Sequence, residues 1–216
     1  MPSETLVNSL SGLLILTSLL VIEAKRPRWS AFLYSLQSVV LVSIFLALAY
    51  TTEAEQLYLW AASAFATKVV LVPWILYRAL SRVGDPEKPR NVMGTRLSLF
   101  LAAAAVTVSF MVVDQIQLEA AESYKPALAI SLAHFFFGQL CILTQRNLFK
   151  QVLGFCLMEN GSHLTLALLA YNAPELVEIG IATDAVFGVV IMVVLGNQIY
   201  KRLHTLDTSD LTTLKG

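Results

Sequence analysis

Long apolar runs alternate along the chain with short polar segments, and this pattern predicts the fold. A hydrocarbon core of about 30 Å is crossed by about 20 helical residues, each of which advances the helix by 1.5 Å. Seven runs reach this length, and we place the predicted spans at residues 6–24, 29–50, 56–78, 93–113, 125–144, 148–171 and 176–200. The sequence therefore predicts an all-α, polytopic membrane protein with about seven transmembrane helices.

The composition supports a membrane protein and argues against a nucleic-acid-binding protein. Hydrophobic residues make up 56% of the chain, charged residues 14%, and the mean hydropathy is +0.68. The formal net charge is zero, so nucleic acid is not expected as a partner, whereas the lipid bilayer is. Cys141 and Cys156 lie in apolar runs without a CxxC or Cys/His pattern, and we expect two buried free thiols. The first span lacks the basic start and the cleavage pattern of a signal peptide, so we expect a retained helix.

The basic residues are concentrated on one side of the predicted membrane. Thirteen of the fifteen Lys and Arg residues lie in segments 25–28, 78–96 and 146–150 and in the tail after residue 200. The alternate connections, residues 51–55, 114–123 and 172–178, have Lys125 as the only base at their edges. Because cytoplasmic loops are enriched in Lys and Arg, we expect the N-terminus outside and the C-terminus in the cytoplasm.

Few ionisable side chains lie inside the predicted spans. Away from the span ends they are the candidate site residues Lys68, His134, Glu159, His163 and Asp184, and Glu178 lies near an end. A charged group at the bilayer centre costs several kcal/mol, from about 3 to more than 10, so such groups normally face protein or water and serve ion movement. We therefore predict an ion translocation site, with no catalytic residue, no metal ligand set and no cofactor bound by this chain.

The short turns between spans allow the depths of these groups to be compared. The turn at Arg146 places His134 and Glu159 at equal depth, each roughly 15 to 20 Å from the turn. His163 lies one helical turn from Glu159 on the same face. The turn at residues 172–174 brings Asp184 close to the depth of His163, which predicts a ladder across three helices.

The first half of the chain has a similar arrangement. The turn near Glu53 places Lys68 level with Gln37 and Ser38. Residues 63–78 also align with residues 179–194, which leaves open an internal repeat that pairs Lys68 with Asp184. The less specific reading is that polar groups only hold helices together, at about 1 kcal/mol each. We interpret Gln37, Ser38, Asn160 and Thr183 as packing groups of this kind.

Several segments carry a resemblance to a known family. QSVVLVSIF, SAFATKVVLVP, TQRN, GFCLMENGSHL, APELVEIGIATDA and LTTLKG resemble hydrogenase-4 component E, a membrane subunit of formate hydrogenlyase-type nickel-iron hydrogenases. From Lys125 onward the chain is also similar to the K subunit of respiratory complex I, with RNLFKQVLG at residues 146–154. One glutamate position of that pattern falls on Cys156, with Glu159 one turn later, and the other falls on Asp184.

The resemblance implies a role in a larger assembly of the bacterial inner membrane. The expected partners are antiporter-like membrane subunits and a soluble hydrogenase arm that holds the nickel-iron and iron-sulfur centres. This chain would contribute to a proton or sodium ion path and comprise a four-helix part (1–124), a three-helix part (125–204) and a cytoplasmic tail (205–216). The alternatives are a structural assembly subunit, a freestanding transporter, and a haem protein that uses His134 and His163.

Overall fold

Seven long helices form the part of the chain that the structure describes. The computed structural model describes residues 2–83, 92–117, 119–173 and 175–212. The helices are α1 Pro2–Glu23, α2 Pro27–Thr52, α3 Gln56–Val83, α4 Thr95–Asp114, α5 Lys125–Thr144, α6 Leu148–Leu169 and α7 Glu175–Leu203. Short 3₁₀ helices occupy Glu119–Tyr124 and Thr208–Thr212.

The predicted fold class is confirmed. Seven helices are long and apolar enough to cross a membrane, and the described residues contain no β-strand. The chain is a multi-pass membrane protein. The predicted spans agree with the helices, although α3 continues to Val83 and α7 to Leu203. The orientation of the termini and the division at residue 124 stay predictions, and α1 and α2 pack directly on α5 and α6.

Glycines bring α5 and α6 into backbone contact. A Cβ atom added to Gly161 of α6 would lie 2.5 Å from the backbone nitrogen of Phe135 in α5. One added to Gly154 would lie 2.9 Å from the carbonyl oxygen of Gly138. Small residues of this kind allow transmembrane helices to approach closely. The close approach fixes how α5 and α6 are rotated against each other.

A buried lysine joins the start of α6 to the end of α1. The Lys150 ammonium donates to the carbonyl oxygens of Val21 at 2.7 Å, Ile22 at 2.7 Å and Ala24 at 3.0 Å, and to Ser30 Oγ at 2.8 Å. The last carbonyls of a helix lack intrahelical donors and carry partial negative charge, so a cation stabilises them. The basic pattern of the sequence places Lys150 among the loop bases, whereas its side chain is 1% exposed.

The C-terminal segment returns to the turn between α5 and α6. The amide nitrogen of Leu148 donates to the carbonyl of Leu206 at 3.1 Å, and that of Thr208 donates to Arg146 at 2.8 Å. Leu206 is buried among the core side chains. The predicted tail, residues 205–216, is described as far as residue 212, and this part is anchored to the helix bundle.

Substituting Gly161 by Ala should destabilise the protein by about 1–3 kcal/mol, because the new methyl group overlaps the α5 backbone. Gly12→Ala is the matched control, since a Cβ at Gly12 meets nothing within 4 Å. Alanine is favoured over glycine in a helix, so the control should be neutral or stabilising. Thermal unfolding of both variants in detergent checks this, and equal melting temperatures would contradict the packing argument.

Substituting Lys150 by Met should remove the cation from the end of α1 and leave its carbonyls without this donor. We expect a loss of about 2–4 kcal/mol, since hydrogen bonds to charged groups contribute more than neutral ones. Lys125→Met is the control, because Lys125 forms only a partly exposed ion pair with Glu122, for which about 0–1 kcal/mol is typical. Denaturant titration of the two variants measures the difference.

Candidate functional site: a polar layer inside the helix bundle

Two apolar clusters divide the interior of the protein. In α1 one cluster ends at Leu14 and the other begins at Val21, and in α3 the corresponding residues are Ala64 and Val72. Six polar side chains that contact one another lie at the level between the clusters. We call this set the polar layer, and it consists of Ser18, Gln37, Lys68, His134, Glu159 and Asn160.

The helix that carries Lys68 is irregular at this level. Residues Phe65–Leu71 form a π-helical segment, and the amide nitrogen of Val72 donates to the carbonyl of Thr67, five residues earlier. Pro73 follows and has no N–H to donate to the preceding turn. The carbonyl of Val69 instead accepts from Ser35 Oγ of α2 at 2.8 Å. Wide turns of this kind are rare and occur frequently at functional sites.

Lys68 and Glu159 form an ion pair within the bundle. The side chain of Lys68 is 1% exposed and that of Glu159 is 15% exposed. Lys68 Nζ donates to Glu159 Oε1 and, at 2.9 Å, to Asn160 Oδ1. Glu159 and Asn160 are consecutive residues of α6, so the lysine of α3 reaches a charged and a neutral acceptor together. The attraction is strong because little solvent screens it.

Hydrogen bonds continue from this ion pair across three more helices. Asn160 Nδ2 donates to Gln37 Oε1 at 2.9 Å, and Gln37 Nε2 lies 3.2 Å from His134 Nε2. On the other side of the ring, His134 Nδ1 lies 2.7 Å from Ser18 Oγ. Ser18 donates in turn to the carbonyl of Leu14. A single chain of contacts therefore joins Glu159 of α6 to α1.

The donors in this chain all point in one direction. A lysine ammonium has three donors and no acceptor, so the oxygen of Asn160 must face it and the amide nitrogen must face Gln37. The same reasoning turns the nitrogen of Gln37 toward His134, whose Nε2 then accepts. His134 consequently carries its proton on Nδ1, and this N–H donates a hydrogen bond to Ser18 Oγ. The charge on Lys68 thus selects one neutral tautomer of His134.

Two predicted site residues occupy other positions. His163 is buried, and its ring centroid lies 4.8 Å from that of Phe45 and 5.4 Å from that of Trp60. Asp184 is exposed on α7 and lies outside the buried polar layer. The predicted ladder placed His134, Glu159, His163 and Asp184 in sequence across three helices. The structure instead joins Glu159 to His134 by way of Lys68, Asn160 and Gln37.

Sequence reasoning missed three members of the polar layer as parts of the site. From the sequence, Gln37 and Asn160 are interpreted as packing groups, and no pattern singles out Ser18. The signal available for Gln37 was its equal distance with Lys68 from the turn near Glu53. Ser18 carries no comparable signal, because serines are common in transmembrane helices.

The structure also bears on the prediction of free cysteines and on the alternative of a haem protein. Cys141 and Cys156 are free and buried, as expected. Both ring nitrogens of His134 lie within hydrogen-bond distance of side chains, so haem ligation would require one of these contacts to break. In the part of the chain that the structure describes, no three His, Cys, Asp or Glu residues come together as a metal site.

Curated relatives match the chain from end to end. It is 50% identical to hydrogenase-4 component E of Escherichia coli and of Shigella flexneri, over 100% of both chains. The chain belongs to the hydrogenase-4 component E family. It is also 24% identical to an uncharacterized protein of Mycobacterium tuberculosis, over 97% of this chain and 96% of the other.

A second comparison covers the last three helices of this component E family member. The family model for NADH-ubiquinone/plastoquinone oxidoreductase chain 4L matches residues 126–216, the part that resembles a complex I subunit. This region contributes His134, Glu159 and Asn160 to the polar layer, whereas Lys68, Gln37 and Ser18 lie before it. No solved structure matches the chain.

A double-mutant cycle tests the ion pair. Lys68→Met should cost about 3–5 kcal/mol of folding free energy, because it leaves the partly buried Glu159 without its cation. Combining it with Glu159→Leu removes both charges, and the double variant should be more stable than Lys68→Met alone. Thermal or denaturant unfolding of the wild type, both single variants and the double variant provides the coupling. Additive losses would contradict a direct interaction.

Proposed function

We propose that the chain is a membrane subunit of a complex I-related, formate hydrogenlyase-type hydrogenase, and that its polar layer contributes to ion translocation. Membership of the component E family supports the assembly, and the match to the chain 4L model supports the relation to complex I. Antiporter-like membrane subunits and a soluble arm with nickel-iron and iron-sulfur centres are its partners. The complex lies in the bacterial inner membrane, with the C-terminus of this chain in the cytoplasm.

The directed chain from Lys68 to Ser18 is the observation that carries the proposal. It connects an ion pair to a histidine, and all three groups exchange protons in proteins. The two amides between them do not ionise, and they hold the ionisable groups at fixed positions. Each amide must present its oxygen toward Lys68 and its nitrogen toward His134. Both amides can keep this orientation only while His134 Nε2 is a hydrogen-bond acceptor.

Protonation of His134 therefore affects Lys68 at a distance. A proton added to Nε2 turns the acceptor into a donor, so Gln37 must rotate its amide to present oxygen, and Asn160 must then rotate as well. The amide nitrogen of Asn160 would face the Lys68 ammonium, donor against donor. Lys68 then releases Asn160, binds Glu159 alone and transfers a proton to that carboxylate. One proton enters at His134, and one passes from nitrogen to oxygen at Glu159.

Glu159 and Asp184 provide the route toward neighbouring subunits. Glu159 is the partly exposed member of its ion pair, and Asp184 is exposed on α7. A carboxylate within an apolar span is costly against lipid, so Asp184 faces a protein partner or water in the assembled complex. His163 lies one turn beyond Glu159 toward the depth of Asp184. Protons, or sodium ions that replace them at the carboxylates, pass laterally along this route.

A purely structural role is the second candidate. The polar layer joins α1, α2, α3, α5 and α6, and such contacts also hold transmembrane helices together. The two roles differ in what happens when hydrogen bonds are kept and a charge is lost. A structural subunit needs the contact, whereas a translocating one needs a group that gains and loses a proton.

Glu159→Gln distinguishes these roles, because glutamine retains an oxygen acceptor for Lys68 but no ionisable group. We expect the complex to assemble and transfer electrons, while the ions moved per electron fall about a hundredfold or more, the scale of losing a proton-transfer group. Inverted vesicles that contain the intact complex provide both measurements. Gln37→Met, which interrupts the chain of amides, should lower coupling in the same way.

Ser162→Ala is the matched control on α6. Ser162 is exposed, and its hydroxyl donates to the carbonyl of Met158, so its loss leaves the polar layer intact. This variant should couple ions to electrons like the wild type. Normal coupling in Glu159→Gln with normal assembly would refute the translocation role and leave the structural one.

A further inference from the structure

A crevice of about 160 Å³ separates the second half of α3 from the second half of α7. Both helices run toward the end of the bundle where the basic segments lie. Nine residues line the crevice, and they include Trp74, Arg78 and Arg82 of α3 and Val190, Val194 and Asn197 of α7. It lies outside the polar layer, and the proposed ion path does not use it.

Polarity increases along the crevice toward the end of the helices. Trp74 and Val190 line its deeper part, and they are 55% and 38% exposed. Arg78 and Arg82 follow Trp74 one and two turns later, and Asn197 follows Val190 about two turns later. The separation between Trp74 and Arg82 is about 12 Å along the helix. Apolar and basic surfaces are therefore separated by depth, as the acyl and phosphate portions of a phospholipid are.

Three observations indicate which polar groups the crevice accepts. The Arg78 guanidinium lies 5.8 Å from the centroid of the Trp74 ring, and this contact holds it at the crevice. Arg78 and Arg82 form no ion pair with another described residue, and both are exposed. Asn197 Oδ1 is buried without a hydrogen-bond partner in the described part of the chain. The crevice thus offers donors for a phosphate and an acceptor for a hydroxyl.

We propose that this crevice binds an anionic phospholipid. The phosphate accepts hydrogen bonds from Arg78 and Arg82, a headgroup hydroxyl donates to Asn197, and an acyl chain packs on Trp74, Val190 and Val194. Basic pockets between transmembrane helices on the cytoplasmic side recognise anionic headgroups in this way. Free phosphate would satisfy the arginines and leave the apolar wall uncovered. The site therefore distinguishes a phospholipid from a soluble anion.

Native mass spectrometry of the full chain in detergent tests the proposal with phosphatidylglycerol and phosphatidylcholine as probes. Wild-type protein should bind phosphatidylglycerol more tightly, because phosphatidylcholine has no net charge and no headgroup hydroxyl. The double substitution Arg78→Gln and Arg82→Gln should weaken phosphatidylglycerol binding about 25-fold, or about fivefold for each arginine. Arg96→Gln, an exposed basic residue of α4 outside the crevice, should leave the affinity unchanged.

A second crevice variant, a phosphate competition and a crosslinking experiment test whether another molecule occupies the crevice. Val194→Glu keeps both arginines, adds a carboxylate to the apolar wall and should also abolish preferential binding. Inorganic phosphate at millimolar concentration should not displace the lipid, and displacement would overturn the proposal in favour of a soluble anion. A photoreactive side chain at position 194 in the intact complex should yield lipid adducts. Protein adducts, equal binding of the two lipids, or an unchanged affinity of both crevice variants would overturn it.

Discussion

A buried ammonium group that can only donate hydrogen bonds determines the arrangement of the polar layer. Lys68 lies between two apolar clusters, where an uncompensated charge is costly. Glu159 supplies the opposite charge and Asn160 a neutral acceptor. Once the oxygen of Asn160 faces Lys68, each later contact has its donor and acceptor assigned, as far as the proton on His134 Nδ1. The position of one charge therefore fixes a proton about three side chains away.

Backbone packing brings these side chains within reach of one another. The glycine contacts between α5 and α6 place His134 and Asn160 on helices that approach more closely than larger side chains would allow. The π-helical segment before Pro73 directs Lys68 into the layer. At the end of α1, the Lys150 ammonium holds the carbonyls of the last turn, so that Ser18 is fixed relative to α5 and α6. The glycine contacts, the π-helical segment and the Lys150 hydrogen bonds are thus parts of one arrangement.

The same contacts support both stability and the proposed translocation. In a membrane interior, an interhelical hydrogen bond contributes only about 1 kcal/mol, and a chain of them is easily reorganised when a proton is added. Lys68 supplies a buried positive charge, and the two amides make the tautomer of His134 depend on that charge. Asp184 is exposed outside the layer, where a partner subunit would complete its environment. The basic crevice lies nearer the helix ends, so the proposed lipid site and the proposed ion path use separate surfaces.

The sequence alone determined the number, approximate bounds and apolar character of the spans, the short list of ionisable residues inside them, and the family resemblance. Hydropathy and charge are local properties, and turn positions give depth along each helix. Depth predicts Lys68 level with Gln37, and in the structure Asn160 contacts both of these side chains. Rotation of the helices and the rotamers of their side chains are set by packing, so the tertiary structure decided that Lys68 meets Glu159, that Lys150 is buried, and that Asp184 faces outward.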